Sequence, residues 1–371
     1  MFKKRSEFFD SNFVYFLILS FFVVIRIISS TFKLGEVAGY VLNFVIQVGL
    51  CLSLPLFLYS FLRKQKLKTT LNQYGFKKIS LKATIVSFLI GILVYIVTIF
   101  IASFFSVVLS NLGYEKTTTS TMTEYPLWLF IIELLMTALL PGICEEVANR
   151  GMLIHGYKTI GAKKAILFSG LFFGLMHLNI EQFFFATILG FYFGFVALAS
   201  DSIYPTMIMH FTNNAISTFM SYSIVNNLPI GSFLDNVLAQ VTSKDLFTGV
   251  LILFVFITFI ILMLLWLTKI LCKETRVKRL AQVADQMLKQ ELRNDLLRGF
   301  QNVDVPKNQS SEIELNKQVI NGKNVININF KKDMLVYGVA YKPTSKDKIF
   351  MYANLFLGIV LTICTFIWGI I

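Results

Sequence analysis

The chain has 371 residues, 56% of them hydrophobic and only 15% charged, with a mean hydropathy of +0.68. That composition excludes a soluble globular domain and indicates a polytopic membrane protein. The net charge of +13 is better explained by topology than by nucleic-acid binding, since cytoplasmic loops collect Lys and Arg.

Nine apolar runs predict spanning helices, near 12–31, 36–62, 83–111, 127–150, 164–180, 182–200, 203–224, 246–271 and 349–371. The first follows a basic N-terminus but has no small-residue cleavage site after it, so it reads as a retained helix rather than a signal peptide. With the N-terminus inside, 3 basic residues precede the first helix, 7 lie in 63–82, 4 in 150–164 and 16 in 269–348. That places 30 of the 34 Lys and Arg in the cytoplasm and leaves Arg26, Lys33, Lys116 and Lys244. Arg26, near the outer end of its helix, is expected to snorkel to the interface. Cys51, Cys144, Cys272 and Cys364 show no paired spacing and form no disulfide framework or zinc knuckle.

The expected fold is all-α and polytopic, with about nine transmembrane helices, a core catalytic bundle and a small cytoplasmic insert. Residues 1–125 hold the N-terminal helices and loops, 126–225 the core, and 226–271 an extracellular loop and the eighth helix. The basic insert spans 272–348 and the last helix 349–371. Within the insert, apolar residues at helical spacing from Lys273 to Arg298 predict an amphipathic helix. The Asn321-Gly322 pair between alternating runs predicts a β-hairpin. The insert has no histidine, phosphate loop or metal spacing.

The chemistry concentrates in three clusters. Glu145, Glu146 and Arg150 lie on the fourth helix, and ionisable groups at bilayer depth suggest a functional site. Glu146 and Arg150 are four residues apart on one helical face, in the favourable order for an ion pair. Glu145 points about 100° away, sharing its face with Asn149, and is left free to act as a base. His177 follows Gly170 and Gly174, which permit close helix approach; alone, such a histidine is more often a packing residue. His210 and Asn214 share one face of a later helix and can both donate to a developing oxyanion. Glu145, His177 and Asn214 each lie thirteen residues from a polar residue at the expected cytoplasmic interface, Lys158, Lys164 and Asp201. They therefore share a depth of about 20 Å along their helices.

The set Glu-Glu-x-x-x-Arg over 145–150, Phe-x-x-x-His over 173–177 and His-x-x-x-Asn over 210–214 resembles the CPBP family of intramembrane proteases. That family includes the CAAX prenyl endopeptidase and the Abi, or bacteriocin-immunity, proteins. The resemblance covers roughly 125–225. It implies a helical core with a site open to the cytoplasm or inner leaflet. There Glu145 and His177 activate a water, His210 and Asn214 hold the oxyanion, and Glu146 and Arg150 give support. The family usually carries an aromatic residue where this chain has Asn149, which marks Asn149 as a contact to water or substrate, or as altered packing.

No cofactor is expected. Zinc on Glu145, His177 and His210 is the alternative, although no HExxH helix is present and Asn214 is a poor zinc ligand. The expected partners are a peptide or membrane-protein substrate, the lipid bilayer and a membrane partner protein, with no nucleic acid. The Lys, Ile, Phe and Asn bias suggests a bacterial plasma membrane. Two competing functions are a non-catalytic scaffold for a cell-envelope enzyme and a proton-coupled transporter using Glu133, Glu145 and Glu146. The transporter predicts internal repeats, and none is apparent.

Overall fold

The computed structural model describes residues 6–32, 35–115, 124–231, 248, 251–275, 313–320, 323–330 and 342–368. All nine predicted segments are helical. Helix α1 is Glu7–Phe32, and α2 runs from Glu36–Phe44 through a π-helical stretch, Val45–Leu58, into Tyr59–Arg63. The short α3 is Leu67–Gln73, α4 is Leu81–Asn111 and α5 is Leu127–Lys158. Next come α6 (Ala162–Met176), α7 (Ile180–Ser200), α8 (Tyr204–Val225), α9 (Leu251–Thr275) and α10 (Ile349–Trp368). Among the described residues, seven helices are long and apolar enough to cross a membrane. Besides the short α3, the two others, α6 and α8, carry the candidate histidines. Helix α6 has only 15 residues, and α8 is diluted by polar residues such as His210, Thr212, Asn213 and Asn214.

Strand β1 (Ile313–Ile320) pairs antiparallel with β2 (Lys323–Phe330), Ile320 opposite Lys323. This is the hairpin expected around Asn321-Gly322. The predicted amphipathic helix falls outside the described residues beyond Thr275, as does the Thr-rich run at 117–121.

The helix ends sort into two groups. At one end Arg63 pairs with Asp10 at 3.1 Å, Lys77 with Asp201 at 2.5 Å and Lys82 with Glu274 at 3.6 Å, and Ser6 bonds Asp347. The basic segments 63–82 and 150–164 and the visible borders of the insert all gather there. At the opposite end Ile180 bonds Thr365, and Asn226 reaches the main chain of Tyr125. The Tyr125 hydroxyl donates to Glu133, and burial together with that carboxylate pushes its phenol well above its ordinary pKa. Tyr40 donates to the other oxygen of Glu133 at 3.3 Å. Two tyrosines thus hold Glu133 in place.

Aromatic side chains pack between the helices in the basic half of the bundle. Phe8, Tyr15, Tyr74, Met152, Tyr157 and Phe172 are fully buried there. Their polar atoms are satisfied across helices, as buried groups require: Tyr15 donates to the Phe172 carbonyl, Tyr74 to that of Pro55, and Tyr157 to Asn12. Helices α6 and α7 cross closely because glycine lies at the contact. A Cβ on Gly190 would lie 2.6 Å from Gly170 Cα, and one on Gly174 would strike Thr187 Oγ1. Small residues at such crossings let backbones approach. That contact fixes His177 at the tip of the α6–α7 turn. Leu178, immediately after it, takes a left-handed φ of 48°, which is rare for a bulky residue and persists only where packing over-determines it.

Candidate active site

Helix α5 is not a uniform α-helix. Glu145 and Glu146 end the α-helical segment Leu140–Glu146, and π-helical turns flank it at Leu134–Leu139 and Val147–Leu153. Such wide turns inside α-helices occur often at functional sites. Here they aim two adjacent carboxylates in different directions.

Glu146 points into the protein and is fully buried. Its Oε1 accepts from Arg150 Nη1 at 2.8 Å and from His210 Nδ1 at 3.0 Å. The Arg150 guanidinium lies over the Phe173 ring, 4.3 Å from its centroid, and 5.3 Å from that of Phe193. Charge pairing and two aromatic faces offset the cost of desolvating this arginine. The brace expected between Glu146 and Arg150 is present, and it also grips His210.

Glu145 faces open space. Its Oε1 accepts from Gln47 Nε2 at 2.8 Å, and among the described residues its Oε2 accepts no hydrogen bond. Two cavities meet at this carboxylate. One, of about 600 Å³, is lined by Glu145, His177, His210 and Asn214 together with Asn213 and Thr98. The other, of about 520 Å³, is lined by Glu145, His177, Gln47, Asn43 and Arg26. All four candidate catalytic residues, which come from three helices, therefore border one space.

Hydrogen bonding sets the state of each partner. His177 Nδ1 lies 2.8 Å from the Phe173 carbonyl, which can only accept, so Nδ1 carries the proton and Nε2 of the neutral ring is a base. His210 Nδ1 donates to Glu146. The Asn214 amide donates to the Thr137 carbonyl at 3.1 Å and accepts from Asn213 Nδ2 at 2.9 Å, while Thr98 donates to Asn213 at 3.3 Å. This chain fixes which end of the Asn214 amide is the donor and leaves its second N–H unused.

Asn149 is placed elsewhere. It is fully buried, lines neither cavity, and its amide donates to the main-chain carbonyl of Glu145 at 2.8 Å. Its role is local to the helix. A contact between Asn149 and water or substrate does not fit this position.

The larger cavity runs from Glu145 past Thr137 on α5, Ile99 and Ala102 on α4, and Ser217 on α8. Arg150, Phe173 and Phe193 pack together beside it.

Residues 126–216 match the family model described as type II CAAX prenyl endopeptidase Rce1-like. Over this stretch the chain is similar to that protease family. The matched residues run from the start of α5 into α8 and include Glu145, Glu146, Arg150, His177, His210 and Asn214. With seven apolar helices and this similarity, the protein is an integral membrane protein. No curated protein and no solved structure matches the chain.

Gln47, which binds Glu145, lies outside the matched residues, on α2. Sequence reasoning missed it, and also missed Asn213 and Thr98. The signal for Gln47 was the pair of amides, Asn43 and Gln47, one turn apart in an otherwise apolar run, groups costly to bury unless they have partners.

A zinc ion on Glu145, His177 and His210 would need their donor atoms to converge. Among the described residues no three His, Cys, Asp or Glu side chains are grouped to hold a metal ion.

Proposed function

We propose that the protein is an intramembrane endopeptidase in which Glu145 activates a water held against His177. The observation that carries this reading is the unpaired Oε2 of Glu145, which faces the same cavity as His177, His210 and Asn214. A water hydrogen-bonded to Glu145 Oε2 and His177 Nε2 loses its proton to Glu145 as its oxygen attacks the scissile carbonyl. The resulting oxyanion accepts from the free N–H of Asn214 and from His210 Nε2. His210 must be an imidazolium to donate from Nε2, because Nδ1 is committed to Glu146, and the Glu146 carboxylate stabilises that cation. Collapse of the intermediate breaks the C–N bond, and Glu145 returns the proton to the leaving amine.

The mechanism needs no metal, so exhaustive chelation should leave cleavage intact; loss restored by added zinc would sink this part of the proposal. We place the basic helix ends in the cytoplasm by the positive-inside rule. The substrate is a peptide or membrane-protein segment in the plasma membrane of a bacterium. Quantitative membrane proteomics tests the function: Glu145→Gln should make a precursor accumulate and its product disappear. Full rescue of a null strain by Glu145→Gln would instead favour a non-catalytic scaffold for an envelope enzyme.

A further inference from the structure

A further cavity opens at the basic end of the bundle, where the starts of α1, α6 and α10 meet. It has a volume of about 550 Å³ and shares no lining residue with the two that meet at Glu145. Three ammonium groups border it: Lys164 on α6, Lys342 in the segment leading into α10, and Lys348 at its start. Lys164 and Lys342 are exposed and Lys348 is half-buried. Among the described residues none of the three has an ion-pair partner, whereas Arg63, Lys77 and Lys82 at the same end are paired. Asp347, next to Lys348 in the chain, caps its own turn instead, accepting from the Thr344 N–H at 2.8 Å and from Ser6 at 3.3 Å.

Like charges gathered at one opening repel each other and favour an anion between them. The walls narrow down what carries that anion. Ile160 and Met351 form a floor that is almost wholly buried, and Phe168 and Tyr352, the latter 57% exposed, present aromatic surface beside the lysines. An inorganic anion would use the rim alone; a lipid uses the rim and the walls. The depth fits as well. The apolar spans of α1 and α10 begin at Glu7 and Ile349, so the lysines lie at headgroup level, where an exposed tyrosine is also at home. With this end in the cytoplasm, the site faces the leaflet whose anionic lipids attract basic groups beside membrane helices.

We propose that this cavity binds one anionic phospholipid of the cytoplasmic leaflet. Lys164, Lys342 and Lys348 hold its phosphate, and an acyl chain lies along Phe168 and Tyr352. Lysine serves here as a compact point charge that meets phosphate from several directions. Lys342 and Lys348 lie outside the residues matched to the protease family and Lys164 within them, so the lipid joins α10 to the matched helices. The site is independent of Glu145 and of cleavage.

Native mass spectrometry of the full chain in detergent tests this directly. The protein is titrated with phosphatidylglycerol or with phosphatidylcholine of the same acyl chains. One phosphatidylglycerol should bind about tenfold more tightly than phosphatidylcholine. Lys164→Gln, Lys342→Gln and Lys348→Gln together should erase that preference. The same exchange at Lys64, Lys66 and Lys68, at the same end of the bundle, should leave it intact. Tyr352→Ala, which keeps every charge, should weaken the first bound lipid about threefold. Equal binding of the two lipids overturns the site, as does a Tyr352→Ala protein that binds like the wild type. An equal loss from both lysine sets overturns it too, since that would mean diffuse attraction to the basic face. Glycerol phosphate, which carries the anion without acyl chains, should not displace the lipid when in large excess; displacement would assign the cavity to a free phosphate instead.

Discussion

The two halves of the bundle are built on opposite rules. In the half at the basic helix ends, buried side chains tie one helix to the next: Tyr15 to the Phe172 carbonyl, Tyr157 to Asn12, Asn354 to the Asn12 carbonyl. The other half holds the two cavities that meet at Glu145. Glu145 and Glu146 lie at the boundary, one peptide bond apart, and belong to different halves. Glu146 is paired with Arg150 and hydrogen-bonded by His210, whereas Glu145 keeps a free oxygen. A site for water and peptide needs unsatisfied groups, and the packing of the basic half keeps them in place.

The contrast is sharpest if substitutions around the two cavities cost activity and those in the basic half cost stability. His177→Ala removes the group that holds the attacking water and should lower kcat by about 10²-fold, as misplacing a reactant does, without altering thermal unfolding. A variant retaining more than a tenth of the activity would remove His177 from the mechanism. Arg150→Met strips the buried Glu146 of its main partner and should destabilise the protein by about 3–5 kcal/mol. Thermal unfolding in detergent checks this, and an unchanged midpoint would mean that the brace is not structural. Gln47→Leu removes a charge-assisted hydrogen bond to Glu145 of about 1.5–3 kcal/mol. The expectation is a tenfold or greater fall in kcat, with folding preserved. The smallest effect belongs to Asn149→Ala, which loses one main-chain bond of about 1 kcal/mol and should stay within about threefold of wild-type turnover.

Much of this division was legible in the chain. Apolar runs located nine of the ten helices of the described residues, all but the short α3, because lipid solvation demands long uninterrupted stretches. The four-residue spacing of Glu146 and Arg150 foretold their pair even though the helix widens into π-turns there. The shared depth of Glu145, His177 and Asn214 foretold a common cavity. Gln47 was hidden because its partner lies 98 positions away, and periodicity carries no information on contacts between helices. Asn149 misled because a shared helical face does not reveal that a short amide will bond back to its own helix.

The most direct measurement compares Glu145→Gln with Glu146→Gln in purified protein, following peptide cleavage and thermal unfolding together. Glu145→Gln should unfold as the wild type does and cleave at least 10²-fold more slowly. Glu146→Gln should lose stability first, with activity falling as the folded fraction falls. A Glu145→Gln protein that still cleaves at the wild-type rate would contradict the account at its centre.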